Sequence, residues 1–348
     1  MAYNTSRDTL DTASEIGSQR NSLCLSLSGT TLFEGAESPR PQEDELSGLC
    51  RPEEFNSTWA EIVFVSSVAV PRFLDGYMLS GFLLLLPRLS EIFNLESSSS
   101  TWLASILSLM VASFLLPAGR LADKFGAPLV FFTGITWTFI WVLLAGFSTD
   151  DTMLTACRAM QGLGGAAHLP SSSGLLDRLY TPGVRKDRVF SAFGTMAPVG
   201  SFAGILVAGL SSEYMPWQWY FWIAAMLSLL AMAVSYFASP LSLKVCEPRA
   251  DVQMDWLGCA TLGTASVLLV FSVIELAHAP QGWRTPYLLV TEVLGLLSFA
   301  AAIYIEGWVA EQPVLPFDLF QIKHVESLFL GLLSGYGTVG IYLLYAVL

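Results

Sequence analysis

Apolar runs, each about as long as a bilayer crossing, alternate along this chain with short breaks rich in charge, Gly or Pro. The runs lie at 62–86, 102–118, 126–147, 153–176, 189–210, 220–237, 256–276, 287–308 and 327–348. A spanning helix needs roughly 20 predominantly apolar residues. Backbone groups in lipid must be satisfied within the segment or by a closed barrel. No ten-residue alternating strands occur, so a barrel is excluded in favour of helices. The pattern predicts an all-α, polytopic membrane protein with about nine transmembrane helices.

Composition agrees with that pattern. The 348 residues are 53% hydrophobic and only 13% charged, where a soluble domain carries roughly 25% charged residues. The net charge of −12, with no basic patch, argues against nucleic-acid binding. The five cysteines are scattered, so neither a metal-ligand set nor a disulfide framework is expected. Cys157 and Cys259 fall within apolar runs and read as packing residues.

Residues 1–58 differ from the rest. They hold ten acids against four bases, are rich in Ser, and have no apolar core of a signal peptide. They read as a disordered acidic tail. With that tail in the cytoplasm, the loops after runs two, four, six and eight carry Arg120, Lys124, Arg178, Arg185, Lys186, Arg188, Lys244, Arg249 and Lys323. The opposite loops carry only Arg88 and Arg284. That asymmetry obeys the positive-inside rule and places the N-terminus in the cytoplasm. The acceptor sequences at Asn4 and Asn56 then face the wrong side for glycosylation. Trp102, Trp217, Trp219, Trp283 and Trp308 fall near run ends, as an interfacial belt would.

Four segments carry candidate chemistry. Between runs two and three stands Gly119-Arg-Leu-Ala-Asp-Lys-Phe-Gly126. Gly119 and Gly126 permit a sharp turn. Asp123, between Arg120 and Lys124, is a fixed anion able to meet an Arg or a helix N-terminus. In run four, Arg158, Gln161, Gly162, Gly164, Gly165, Ala166 and His168 follow closely. A charge in a membrane costs about 2.5–3.5 kcal/mol on insertion scales, so Arg158 should face a cavity and be paired. Gln161 shares its face, and the small residues allow close helix contact. In run five, Gly194, Pro198, Gly200 and Gly204 combine a bend with a small-residue packing face. In run one, Arg72 and Asp75 share a helical face. There Asp75 either carries a proton or meets a cation, or else is neutralised permanently by Arg72. His168 reads as a packing residue, and Glu292 as a residue near the interface.

The first of these segments resembles the Gly-x-Leu-Ala-Asp-Arg/Lys-x-Gly-Arg-Lys motif of the major facilitator superfamily of transporters, with Ala127-Pro128 in place of the two final bases. The run-four segment is similar to the family's Arg-x-x-Gln-Gly-x-Gly motif, implicated in proton coupling; the alternative is a structural Arg that tethers helices. The run-five segment stands where antiporters carry Gly-Pro-x-x-Gly-Gly, with Ala197 before the proline and Ser201-Phe202 where the paired glycines would be. Trp102-Leu-Ala-Ser, Asp255-Trp-Leu-Gly258 and Pro313-Val-Leu-Pro-Phe-Asp-Leu-Phe320 resemble the branch of fungal drug:proton antiporters named for aminotriazole resistance, which has about fourteen helices.

The resemblance implies a six-helix bundle over 59–240, a linker with two extra helices over 241–322, and the first helix of a second bundle over 323–348. By that scheme the chain looks C-terminally truncated. It implies export of small organic compounds, driven by protons through alternating access, with Asp75 and Arg158 as proton-coupling candidates. The alternatives are a transport-inactive fragment or an uptake carrier. No enzyme activity, metal or cofactor beyond the proton is implied. The expected partners are the bilayer and a small-molecule substrate, in the plasma membrane or alternatively the vacuolar membrane.

Overall fold

The computed structural model describes residues 52, 54–55, 57–95, 97–239, 255–276, 279, 282–309 and 325–347. The readings placed on Asn4, Asn56, Lys244, Arg249, Lys323 and 313–320, and on nearly all of the 1–58 tail, lie outside the described residues.

Among the described residues, nine α-helices run in chain order: α1 (Thr58–Phe93), α2 (Ser97–Phe125), α3 (Ala127–Ala145), α4 (Asp151–Leu179), α5 (Val184–Glu213), α6 (Gln218–Ala238), α7 (Trp256–Leu276), α8 (Pro286–Tyr304) and α9 (Val325–Val347). There are no strands among the described residues. Seven of these helices of the described residues, α1–α3 and α5–α8, are long and apolar enough to cross a membrane. Helix α4 falls short of that measure because its buried face carries Arg158, Gln161, His168, Ser171 and Ser172. Lying between α2 and α3, it can bury these groups against protein instead of lipid.

Helices α1, α2, α4, α5 and α6 extend beyond the apolar runs that predict them at both ends. α1 begins at Thr58, where the Ser57 side chain accepts a hydrogen bond from the Trp59 amide at 3.3 Å, and ends on Asn94 in the left-handed conformation. Its entry is packed: Phe55, inside the stretch read as tail, is buried against Phe64 with ring centroids 5.4 Å apart.

Two clusters form the core along α1. One gathers Phe64, Val68, Phe131, Leu175 and Leu176. The other gathers Tyr77, Phe82, Leu85, Leu103, Tyr220 and Phe221. At its centre α1 and α6 exchange two hydrogen bonds: the Tyr77 hydroxyl donates to the Tyr220 carbonyl at 2.9 Å, and the Tyr220 hydroxyl to the Tyr77 carbonyl at 2.7 Å. Their rings stack at 4.7 Å. Neither hydroxyl is left unsatisfied in the interior, which would otherwise cost about 1–3 kcal/mol.

The α1–α5 crossing is close and rests on glycine. A Cβ at Gly204 would come within 2.5 Å of the Tyr77 carbonyl oxygen, and one at Gly200 would collide with the Phe73 carbonyl. Gly194, on the same helix, would meet nothing within 4 Å. Gly200→Ala is therefore expected to destabilise the bundle by about 1–3 kcal/mol. Gly194→Ala should be neutral or gain up to about 1 kcal/mol from helix propensity. Thermal unfolding of the two variants in detergent checks this difference.

Helices α7 and α8 pair with each other, and α7 lies on α2. Trp102 of α2 donates its indole N–H to Glu275 of α7 at 3.1 Å and packs on Phe271. Trp102 thus docks α7 onto α2. Trp217 is likewise buried, edge-on to Phe93 and Phe221. Trp308 is exposed. Glu292 accepts a hydrogen bond from Ser272 of α7.

Candidate functional site

Asp75 stands midway along α1, one turn after Pro71. Its Oδ2 is 3.8 Å from Arg72 Nη1, and its Oδ1 is 3.5 Å from His168 Nε2 of α4. Arg72 and Asp75 are half-buried, while His168 is buried. The two contacts are ionic approaches at long range, and Asp75 Oδ2 accepts no hydrogen bond. Carboxylate, guanidinium and imidazole thus meet where α1 crosses α4.

The run of small residues on α4 makes this approach possible. A Cβ at Gly165 would lie 3.7 Å from Asp75 Oδ1 and 3.2 Å from Val111; a larger side chain there would fill the space beside the carboxylate. On the other side of α4, Gly134 of α3 closes on the His168 backbone, 2.8 Å from where its Cβ would be. His168 is pressed toward α1 by glycines. Its place one turn beyond Gly165 on the buried face was legible in the sequence; its partner was not.

Arg158 lies further along the same face. Its side chain is fully buried. Nε donates to the Leu103 carbonyl of α2 at 3.0 Å, and the guanidinium lies flat on the Phe82 ring of α1, 3.4 Å from its centroid. No carboxylate pairs with it among the described residues. Gln161 turns to α3, donating to the Trp141 carbonyl at 3.1 Å. Gly162 meets Leu107 of α2, and Gly164 meets Thr138 of α3. The polar face of α4 therefore ties α1, α2 and α3 together. Asp75 and Arg158 are not brought together: Phe82 is seven residues beyond Asp75 on α1, about 10 Å of helix rise.

The motif at 119–126 is not a loop. Gly119 to Phe125 continue α2 to its last turn, and only Gly126, at φ 96°, breaks the helix before α3 starts at Ala127. Pro128 in the first turn of α3 favours this start, and Ala127 is buried. The Ala-Pro replacement of two bases thus serves helix initiation and packing. Asp123 lies at the C-terminal end of α2, not at a helix N-terminus; it is exposed and forms no ion pair among the described residues. Lys124 lies 5.9 Å from the Phe125 ring. Cys259 lies buried at the start of α7. Asp255 caps that helix by accepting from the Gly258 amide at 2.9 Å.

The run-five residues divide between two faces. Gly200 and Gly204 are buried on α1, whereas Gly194 and Pro198 are exposed, with Val199, Phe202, Leu206 and Leu210.

One polar network escaped the sequence reading. Glu61, buried in the first turn of α1, accepts from Arg185 through both oxygens, with Nε–Oε1 at 2.9 Å. The Tyr180 hydroxyl donates to the same Oε1 at 2.8 Å. Burial, then the bond to Glu61, holds the Tyr180 phenol protonated beyond its usual range. This network joins the start of α1, the end of α4 and the start of α5. No cluster of three or more metal-ligating side chains occurs among the described residues.

A profile of the Major Facilitator Superfamily matches residues 68–348. The chain is 32% identical over 305 residues to the efflux pump terJ of Aspergillus terreus, covering 85% of this chain and 57% of that protein. It is 29% identical over 334 residues to the aminotriazole resistance protein of Saccharomyces cerevisiae, covering 94% and 60%. The chain spans less than two thirds of the length of these relatives. Its fold is similar to that of a crystal structure of the peptide transporter POT in complex with sulfate, with a TM-score of 0.54 at 19% identity over 76% of this chain and 56% of that one.

Proposed function

This chain belongs to the Major Facilitator Superfamily, and from that premise we propose that it takes part in proton-driven export of small organic compounds by alternating access. It is an integral multi-pass membrane protein. In this reading α1–α6 form the first bundle, α7 and α8 are the linker pair, and α9 belongs to a second bundle. The N-terminus faces the cytoplasm, and the membrane is the plasma membrane. The protein moves its substrate unchanged, so it is a carrier and not an enzyme.

The observation that carries the reading is the Asp75 carboxylate inside the bundle, bridging α1 and α4 with one oxygen that accepts no hydrogen bond. A carrier couples a proton to transport only if protonation changes the relative stability of its two conformations. A carboxylate at the junction of two helices can do this, because helix movement changes its neighbours. The first bundle rocks against the second around a site at mid-membrane. Export, as against uptake, is supported by the names of the relatives, an efflux pump and a resistance protein.

The test is transport in sealed vesicles containing the protein, with a fluorescent drug-like cation as substrate and an imposed pH gradient. Proton entry should drive the dye the opposite way, and a protonophore should stop it. Dye movement indifferent to the gradient would exclude proton coupling, and dye movement in the same direction as the protons would make the protein an uptake carrier.

A further inference from the structure

We propose that His168 is the positioning partner of Asp75, and that the two side chains bind one proton between them as a unit spanning α1 and α4. The inference rests on the reading of Asp75 as a proton carrier and adds a residue to it. His168 Nε2 is 3.5 Å from Asp75 Oδ1, the imidazole is buried, and its Nδ1 has no hydrogen-bond partner. Asp75 Oδ2 has none either. Both side chains therefore keep an atom able to take a proton.

The surroundings limit what else acts on them. Arg72, 3.8 Å from Asp75, is the charged neighbour on α1. α5 presents Ala197, Gly200 and Ser201 to this stretch of α1, and α2 presents Val111 beside Gly165. Neither helix brings a charge. With Asp75 ionised, Arg72 charged and His168 neutral, the three groups sum to zero. One added proton makes the sum +1, whether carboxylate or imidazole holds it. A second would put two net positive charges in a site of low dielectric, where like charges repel strongly. The cluster thus takes one proton, shared between acid and base, and titrates as a pair.

The sharing has a mechanical consequence. While the proton and negative charge are divided between α1 and α4, the two helices are attracted. A movement of α1 along α4 by one turn, about 5.4 Å, would separate the two groups and leave the carboxylate to Arg72 alone. Proton affinity would then differ between the two arrangements, as coupling requires.

The experiment is an infrared pH titration of the chain in lipid nanodiscs, following the carboxylic acid C=O band removed by Asp75→Asn. It needs no transport, so its outcome is independent of the vesicle assay. His168→Ala should displace the midpoint of that band by about one pH unit, a tenfold change in proton affinity. His168→Gln, which fills similar space and offers an N–H donor but no base, should displace the midpoint in the same way. An unchanged midpoint in both folded variants would reduce His168 to a packing residue and overturn the proposal. Restoration of the original midpoint by the Gln variant would also overturn it, since a hydrogen-bond donor of similar size then suffices without a shared proton.

Discussion

Asp75→Asn is expected to abolish gradient-driven extrusion while leaving the bundle folded. Asn has the shape of Asp but cannot take up or release a proton near neutral pH. With one proton exchanged per substrate, a gradient of one pH unit, worth about 1.4 kcal/mol, sustains roughly a tenfold concentration ratio. The variant should sustain a ratio of about one, while exchange of labelled for unlabelled substrate persists. The fold should survive because Asp75 holds its partners loosely: Arg72 is 3.8 Å away, and both side chains are half-buried. Uphill extrusion by the Asn variant at the original ratio would move the proton site elsewhere.

Arg158→Met is the second large effect, and here stability and activity should part. Burying a guanidinium without a carboxylate costs several kcal/mol. Against that cost stand one hydrogen bond from the charged Nε to the Leu103 carbonyl, about 1.5–3 kcal/mol, and the face of Phe82, about 2 kcal/mol when desolvated. The two sides nearly balance, so an unbranched apolar side chain of similar length should leave the bundle as stable as before, or more stable by up to about 4 kcal/mol. Transport, in contrast, should fall at least a hundredfold if the charge takes part in coupling. Thermal unfolding and vesicle transport on the same preparation separate the possibilities. A Met variant that unfolds easily would make Arg158 a structural tether between α1, α2 and α4. Arg158→Lys adds a control, since it keeps the charge but loses the planar contact with Phe82.

These predictions depend on contacts that differ in how visible they are along the chain. The small-residue face of α5 is an example of a visible one. Gly200 and Gly204 stand four apart in the sequence, and the crossing they permit is the one found with α1. The unusual polarity of α4 is also visible, as is its consequence that the helix lies inside a bundle. The Glu61–Arg185–Tyr180 network is not visible. Glu61 and Tyr180 are 119 positions apart, and nothing local to either distinguishes it from a solvated residue at a helix end.

The motif at 119–126 shows how a local pattern can suggest the wrong local structure. Its two glycines and clustered charges read as a turn. Only Gly126 has a backbone angle that needs glycine; Gly119 is helical and takes the spacing at which Pro170 of α4 packs, 3.7 Å from where its Cβ would be. Glycine serves both sharp turns and close packing, and the sequence does not say which.

What the sequence by itself determined is the set of helices and the membrane as their surroundings. Both follow from hydropathy over about 20 residues and from the need to satisfy every backbone group in lipid, conditions that act within each segment. What only the tertiary structure decided is which polar groups meet: His168 with Asp75, Arg158 with Phe82 and Leu103, Trp102 with Glu275. Those pairings depend on how each helix is rotated about its axis and how far it slides against its neighbours. Rotation and slide are set by the packing of side chains from several helices at once, and no single segment contains that information.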